Sequence, residues 1–296
     1  MDDETKGRPM GSDQTSSEAS GKAKPRTLGD KIKQEAKEWG TTLSVFVPLF
    51  FLFSMLFYEQ RVIPSESMVP NLRVGDRVAV SKFAYGYNRH SVPWGLGKVL
   101  PLGDGTLFQR LPKHGDVAVF EHPHLDRVMI KRVVGLPGDR VEMRGEQLFL
   151  NGEPVQTNFE GRIEYTPHTE SRKRSARVYT ETIGEKSWTT HQWEQGSQND
   201  TTSVFVVPEG HLLFMGDNRD NSTDGRDLKG HCPVRNGVVS EAGCDLPAGM
   251  APSRASIGFV PLDHLIGRAE TVIFSTYRCR DRADDACLEG RLWKGL

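Results

Sequence analysis

Residues 43–58, LSVFVPLFFLFSMLFY, constrain this chain more than any other segment. The twenty residues from Trp39 to Tyr58 would reach ~30 Å as a helix, about the thickness of a hydrocarbon core. No Asp, Glu, Lys or Arg falls between Gly40 and Tyr58. Trp39 and Tyr58 close the two ends as interfacial aromatics do, and Pro48 is tolerated inside such a helix. A buried core helix and a cleaved signal peptide are the competing readings. A signal peptide needs a short basic start and a cleavage site of the A-x-A kind. Here a long segment precedes the apolar run, and VIPSES after it offers no such site. The pattern predicts an uncleaved transmembrane signal anchor over residues 39–58.

Orientation follows from the flanks. Lys22, Lys24, Arg26, Lys31, Lys33 and Lys37 precede the span, whereas only Arg61 follows closely. The positive-inside rule therefore puts the N-terminus in the cytoplasm and residues 59–296 outside it. Residues 1–38 are expected to be a disordered cytoplasmic tail, most clearly the Ser-, Gly-, Asp- and Lys-rich residues 1–27. A net charge of −1 with scattered basic residues argues against a nucleic-acid partner. The four cysteines, Cys232, Cys244, Cys279 and Cys287, all lie on the side predicted to be outside. Cys232 with Cys244 and Cys279 with Cys287 would make two local bridges in an oxidising compartment, one of three possible pairings. Free buried thiols are the alternative, and the long spacings without a C-x-x-C speak against zinc.

The region after the span reads as mostly β. Short apolar alternations, DRVAV, GDVAVFEH, RVMIKRVVG, DRVEM, QLFLNG, SVFVVPEG, HLLFMGDN and GRAETVIF, are separated by Gly, Pro, Asp and Asn. VEMRGEQLFLNGEPV predicts a hairpin turning at Arg144-Gly145. Residues 156–200 are polar with scattered aromatics and predict a smaller inserted β-region. Residues 231–258 are a Gly/Pro-rich excursion, and no helical periodicity follows the anchor.

The chemistry begins with Ser65 and Ser67, in a small-residue turn just beyond the span. A serine hydrolase needs a nucleophile, a base and donors for the oxyanion. No G-x-S-x-G elbow is present, and histidines such as His122 and His124 sit in loop contexts that suit surface or satisfied residues. In RVMIKRVVG, strand alternation places Lys131 on one face with Met129 and Val133, and Ile130 on the other. Apolar same-face neighbours strip water from a lysine and favour its neutral form. On strand grounds alone such a lysine also fits a snorkelling surface role. In GDNRDNSTDGRD, residues 216–227, Arg219 and Arg226 are interleaved with Asp217, Asp220, Asp224 and Asp227. That is either a tight polar loop or a salt-bridged scaffold able to hold a hydroxyl.

Three segments together resemble the bacterial type I signal peptidase (leader peptidase) family, whose members are Ser-Lys dyad serine proteases. IPSESMVPNLRVGDRVAVSKFAYG looks like its nucleophile segment, HGDVAVFEHP with MIKRVVGLPGDRV like its lysine segment, and MGDNRDNSTDGR like its third signature. The resemblance implies Ser67 as nucleophile and Lys131 as general base. It implies a Ser65 hydroxyl in the oxyanion hole and a Ser222 hydroxyl orienting the lysine ammonium. Asp224 and Arg226 would support that loop, and Gly216 would leave room beside the lysine. Ile63, Met68, Leu72 and Ile130 would line the shallow S1 and S3 pockets.

The implied protein is a single-pass enzyme of the bacterial cytoplasmic membrane with a β-rich extracytoplasmic catalytic domain. It would remove signal peptides from exported precursors after A-x-A, against a lipid bilayer and without metal or cofactor. Four positions depart from the family pattern: Glu66 for a small residue, Asn71 for Thr, Gly225 for Ser, and Arg61 for an apolar pocket residue. The rival readings are a self-cleaving repressor-type Ser-Lys protease, a pilus or conjugation maturation peptidase, and a non-catalytic anchored β-module.

Overall fold

The computed structural model describes residues 28–92, 97, 99, 105–168, 170–227, 235–240, 257–276 and 291–296. Residues 1–27, the four cysteines and most of 231–258 lie outside the described residues, and with them the expected tail and disulfides. The chain separates into two units at Leu49/Phe50, and the second carries every strand described below.

Helix α1 (Leu28–Phe57) comes first, followed by β1 (Tyr58–Val62) and β2 (Asp76–Ser81). Next are β3 (Val117–Glu121), β4 (Val128–Gly135), β5 (Arg140–Arg144), β6 (Gln147–Leu150) and β7 (Glu153–Pro154). The 156–200 region supplies β8 (Gln156–Tyr165), β9 (Arg174–Ile183) and β10 (Lys186–Trp193). Then follow β11 (Val204–Val206), β12 (His211–Met215), β13 (Val238–Val239), β14 (Phe259–Pro261), β15 (Leu265–Ser275) and β16 (Lys294–Gly295).

Helix α1 starts at Leu28, so residues 28–38 are helical and not part of an unstructured tail. KIKQEAKE is made of strong helix formers, and Gln34 Nε2 donates to Glu38 Oε1 at 2.9 Å, four residues on. The helix ends one residue before Tyr58, because YEQRV pairs with β2. Among the described residues no helix is long and apolar enough to cross a membrane. The side chains of Ser54 and Met55, inside the expected span, lie outside the described residues.

The mostly β expectation holds. The main sheet has the order β1-β2-β15-β3-β4-β12-β14, with β16 on β15. A second sheet runs β13-β11-β5-β6-β7. The inserted region forms its own three-stranded sheet, β10-β9-β8. The β5–β6 turn falls at Gly145-Glu146, one residue later than expected. Both residues have positive φ, 56° and 73°, as a two-residue hairpin turn requires.

One buried cluster joins Ile63, Met68 and Leu72 to Val78, Val80, Val117, Val119, Ile130 and Ile266. It ties the segment after β1 to four strands of the main sheet, β2, β3, β4 and β15. Beside it, Arg132 of β4 reaches Asp217 after β12 through two bonds of 2.7 Å, Nε to Oδ1 and Nη2 to Oδ2. Arg132 also donates to the Gly115 carbonyl at 2.7 Å and stacks 4.8 Å from the Trp188 ring of the inserted sheet. Both partners of this pair are buried. Removing one partner from such a pair leaves an uncompensated charge. We expect Arg132→Ala to lower unfolding stability by about 3–5 kcal/mol in urea titration. Arg132→Lys should recover part of that, because one ammonium cannot engage both oxygens. A loss under about 1 kcal/mol in Arg132→Ala would show that the pair does not hold the sheets in place.

Candidate active site

The segment from Ile63 to Asp76 is a loop pinned at its ends. Ile63 N donates to Asp76 O and Gly75 N to Ile63 O, each at 2.9 Å. Met68 and Leu72 turn into the core, joined by the Leu72 N to Met68 O bond of 2.8 Å. A residue from the far end of the chain closes this loop from outside. Arg291 Nε donates to Asp76 Oδ1 at 2.9 Å and its Nη2 to the Asn71 carbonyl at 2.8 Å.

With Met68 buried, Ser67 faces β4. Lys131 Nζ lies 2.5 Å from Ser67 Oγ and donates to the Ile130 carbonyl at 3.2 Å. Ser65 Oγ is 3.3 Å from Ser67 Oγ. Lys131 is 3% exposed and Ser67 6%. Burial lowers the lysine from its ordinary 10.5 to about 8, partly opposed by the charges of Asp224 and Asp217. The strand position thus gives a desolvated lysine, not a snorkelling one.

Those two carboxylates are held by arginines. Asp224 Oδ1 accepts from Arg226 Nε at 2.9 Å and its Oδ2 from Arg226 Nη2 at 2.8 Å. Asp224 Oδ2 also accepts the Gly216 N–H at 2.9 Å. The guanidinium and these bonds hold the Asp224 carboxyl below the usual range against the opposing effect of burial. Arg226 further donates to the Arg219 carbonyl at 2.6 Å, which ties the loop across its width. Asn218 N donates to the Ser67 carbonyl at 3.1 Å and its Nδ2 to the Glu66 carbonyl at 3.2 Å. The third segment therefore grips the backbone carbonyls on both sides of the Ser67 nitrogen and Cα.

Two glycines here are required by close approach. A Cβ on Gly216 would sit 2.2 Å from Ser222 Oγ and 2.5 Å from the Ser67 carbonyl oxygen. The atoms nearest that position belong to Ser222 and Ser67. A Cβ on Gly225 would meet Leu213 Cδ1 at 2.6 Å and the Phe214 carbonyl at 3.0 Å, so a serine does not fit there. Ser222 Oγ is shielded and, among the described residues, makes no hydrogen bond, to Lys131 Nζ or to any other group.

A cleft of about 220 Å³ opens beside the dyad, lined by Ser65, Ser67, Met129, Lys131, Asn221 and Ile257, with His122, Leu125, Arg127 and Thr223 around them. Ile63, Met68, Leu72 and Ile130 do not line it. All four are buried in the core cluster, and Ile130 points away from Lys131 because neighbours on a strand face opposite ways. The cleft's apolar walls are Leu125, Met129 and Ile257. Met129 and Arg127 follow from the alternation that placed Lys131, whereas Ile257 comes from a distant segment with no local signal.

The departures from the family pattern also find places. Asn71 Nδ2 donates to the Thr189 carbonyl at 2.7 Å and to Asp217 Oδ2 at 2.8 Å, linking the loop to the inserted sheet. The Glu66 carboxylate accepts the His168 N–H at 2.5 Å, and burial raises its pKa. Arg61, on β1, pairs with Glu59 at 2.5 Å and does not line the cleft. His122 is a buried cleft residue, not a surface one, and its Nδ1 accepts the His124 N–H at 3.1 Å. Burial takes His191 down to about 4, helped by the charge of Arg73. Neither histidine contacts Ser67 Oγ, whose polar neighbours are Lys131 and Ser65. Among the described residues no group of His, Cys, Asp and Glu is arranged to hold a metal.

The family model described as "Signal peptidase, peptidase S26" matches residues 36–274. The signal peptidase I of Pseudomonas aeruginosa PAO1 is 38% identical over 211 residues, covering 67% of this chain and 68% of that protein. The signal peptidase I of Rickettsia bellii OSU 85-389 is 28% identical over 258 residues, covering 84% of this chain and 77% of that protein. With a serine and a buried lysine in contact at the wall of a cleft, inside the matched residues, the chain belongs to the signal peptidase family, peptidase S26, and is a serine endopeptidase.

Proposed function

We propose that this endopeptidase removes N-terminal signal peptides from exported precursors, cutting after a small residue in A-x-A, with Ser67 as nucleophile and Lys131 as general base. One observation carries the assignment: the 2.5 Å contact between Ser67 Oγ and a lysine that burial brings to about 8. No other base touches that hydroxyl among the described residues.

Neutral Lys131 takes the Ser67 proton as Oγ bonds to the scissile carbonyl carbon, and the carbonyl oxygen becomes an oxyanion. The Ser65 hydroxyl and the Ser67 N–H are its donors. Collapse breaks the C–N bond, and the lysine ammonium protonates the departing amine. Lysine then takes a proton from water, which attacks the acyl-enzyme, and returns it to Ser67 Oγ as the acid leaves. This is the Ser-Lys form of the triad logic. Ser222, shielded and unpartnered, is the hydroxyl available to the transient ammonium. Asp224, Arg226 and Gly216 hold the loop that carries it. A cleft of about 220 Å³ is small, which fits the small side chains of A-x-A.

We assign residues 39–58 as the membrane anchor, with the N-terminus cytoplasmic and residues 59–296 outside the bacterial cytoplasmic membrane. The reading rests on the uncharged run and on the basic flank before it. In α1 the apolar side chains of Leu43, Phe46, Leu49, Phe50 and Phe53 are exposed, a surface that water does not favour. Sharing a bilayer with substrates still held by their apolar segments raises their effective concentration.

Detergent-purified protein should cut a secretory precursor after the last Ala of A-x-A, as located by mass spectrometry, and Ser67→Ala should not. Cutting by both would remove Ser67 from the mechanism, and cutting by neither would favour a maturation peptidase with a private substrate or a binding module. Lys131→Ala and Lys131→Arg should both be inactive, since guanidinium cannot deprotonate. Because the neutral lysine is the reactive form, kcat/KM should rise with pH through a midpoint of about 8 and then level. A midpoint near 6.5 would point to a histidine instead. Gly216→Ala should lower kcat by at least about tenfold, since Ser222 and the Ser67 carbonyl must move to admit the methyl group. An unchanged kcat would show that the approach of these groups is not needed for turnover.

A further inference from the structure

The cleft beside the dyad is electrically one-sided. Among the described residues its lining holds two cationic side chains, Lys131 and Arg127, and no carboxylate. The nearby acids are already engaged: Asp217 by Arg132, Asp224 by Arg226, and Glu66 by the His168 N–H. Arg127 differs from every arginine in that scaffold. Arg127 is exposed and lines the cleft, and its side chain makes no ion pair or hydrogen bond among the described residues, although its backbone is pinned by His122 N to Arg127 O at 2.8 Å. Arg127, Met129 and Lys131 alternate along one face into β4, and all three line the cleft.

The strand edge adds a second observation. β12 pairs with β4 only from Arg132 to Gly135, while β3 covers the other edge from Val128 to Arg132. Residues 128–131 therefore leave one edge without a strand partner among the described residues, next to the dyad. An extended polypeptide laid along such an edge advances about 3.3 Å per residue. Arg127, four residues from Lys131, then stands about 13 Å away, within four substrate positions of the scissile bond.

We propose that Arg127 is a specificity-determining residue that recognises an acidic side chain of the precursor within four positions of the cleavage site. This rests on the peptidase reading above and adds a charge preference to it. A guanidinium is suited to the task, because its planar fork meets a carboxylate with two parallel bonds. The contact is exposed to solvent, so the expected preference is modest, about two- to fivefold.

The test is a set of precursor peptides with an A-x-A site carrying a single Asp or a single Lys at each of four positions on either side of the cut. Each is assayed with full-length detergent-purified protein, and kcat/KM for Asp is divided by that for Lys at the same position. This ratio cancels any general change in activity caused by a substitution. In wild type at least one position should favour Asp about two- to fivefold, chiefly through KM. Arg127→Gln should bring that ratio near one, and Arg127→Glu should invert it. A wild-type scan with no position favouring Asp overturns the inference, whatever the variants do. So does a preference that survives in Arg127→Gln or in Arg127→Glu. If wild type cuts none of the peptides, the signal-peptide reading itself fails, an outcome distinct from cutting without charge preference.

Discussion

Asp217 is the point on which this architecture turns. Its carboxylate receives Arg132 from β4 and Asn71 from the nucleophile loop, and its backbone carbonyl accepts the His191 N–H of the inserted sheet at 2.9 Å. One buried acid thus connects four segments that lie far apart in sequence. Burying a carboxylate is costly unless it is paired and hydrogen-bonded, and here both oxygens are used. The result is rigidity one residue away from Lys131 and one residue away from Asn218, which holds the Ser67 carbonyl. A chemical contact of 2.5 Å needs that kind of support, because misplacement by an ångström is enough to uncouple it.

The same pairing resolves an electrostatic difficulty. A buried lysine loses its proton readily only where nearby carboxylates do not hold the ammonium in place. Two aspartates do act on Lys131, yet burial outweighs them and the lysine settles at about 8. Arg132 and Arg226 engage these acids directly, and the charge of Arg127 adds to the effect of burial on the lysine. At pH 7 roughly a tenth of the lysine is then neutral, a usable fraction for a general base. The interleaved charges of residues 216–227 are paired partly within the segment, Asp224 with Arg226, and partly outside it, Asp217 with Arg132 and Arg219 with Glu181.

Much of this was readable in the sequence, and the failures have physical causes. Period-two alternation located β2, β3, β4, β5, β6, β11, β12 and β15, because half-buried strands write their burial into residue order. It missed β1, since YEQRV is held by pairing with β2 rather than by its own apolar pattern. It missed β14, whose FVP is apolar throughout and shows no alternation. The helix start at Leu28 was hidden by polar helix formers that read equally well as tail. At the site, resemblance located the serine and the lysine, and the geometry brings them into contact. Resemblance put Ile63, Met68, Leu72 and Ile130 at pockets, and side chains this apolar suit a pocket or a core equally well in the sequence. Only the packing shows that they belong to the core. Arg291 and Ile257 carry no local signal, since each reaches the site through the fold alone.

The departures from the family pattern show how a site absorbs change without losing its chemistry. A serine at position 225 would collide with the Leu213 side chain, so glycine there matches the packing of this particular sheet. Asn71 keeps a polar donor in the loop and spends both amide hydrogens, on the Thr189 carbonyl and on Asp217. Glu66 is the most informative of the three. Its carboxylate bonds the backbone of the β8–β9 connection at His168, so it joins the inserted sheet to the residue before the nucleophile. A small residue at that position could make no such bond. Glu66, Asn71 and Asp217 together give the inserted sheet three attachments within seven residues of Ser67 or within five of Ser222. A region of the chain that contributes nothing to the Ser67–Lys131 contact itself thereby becomes part of what holds Ser67 still.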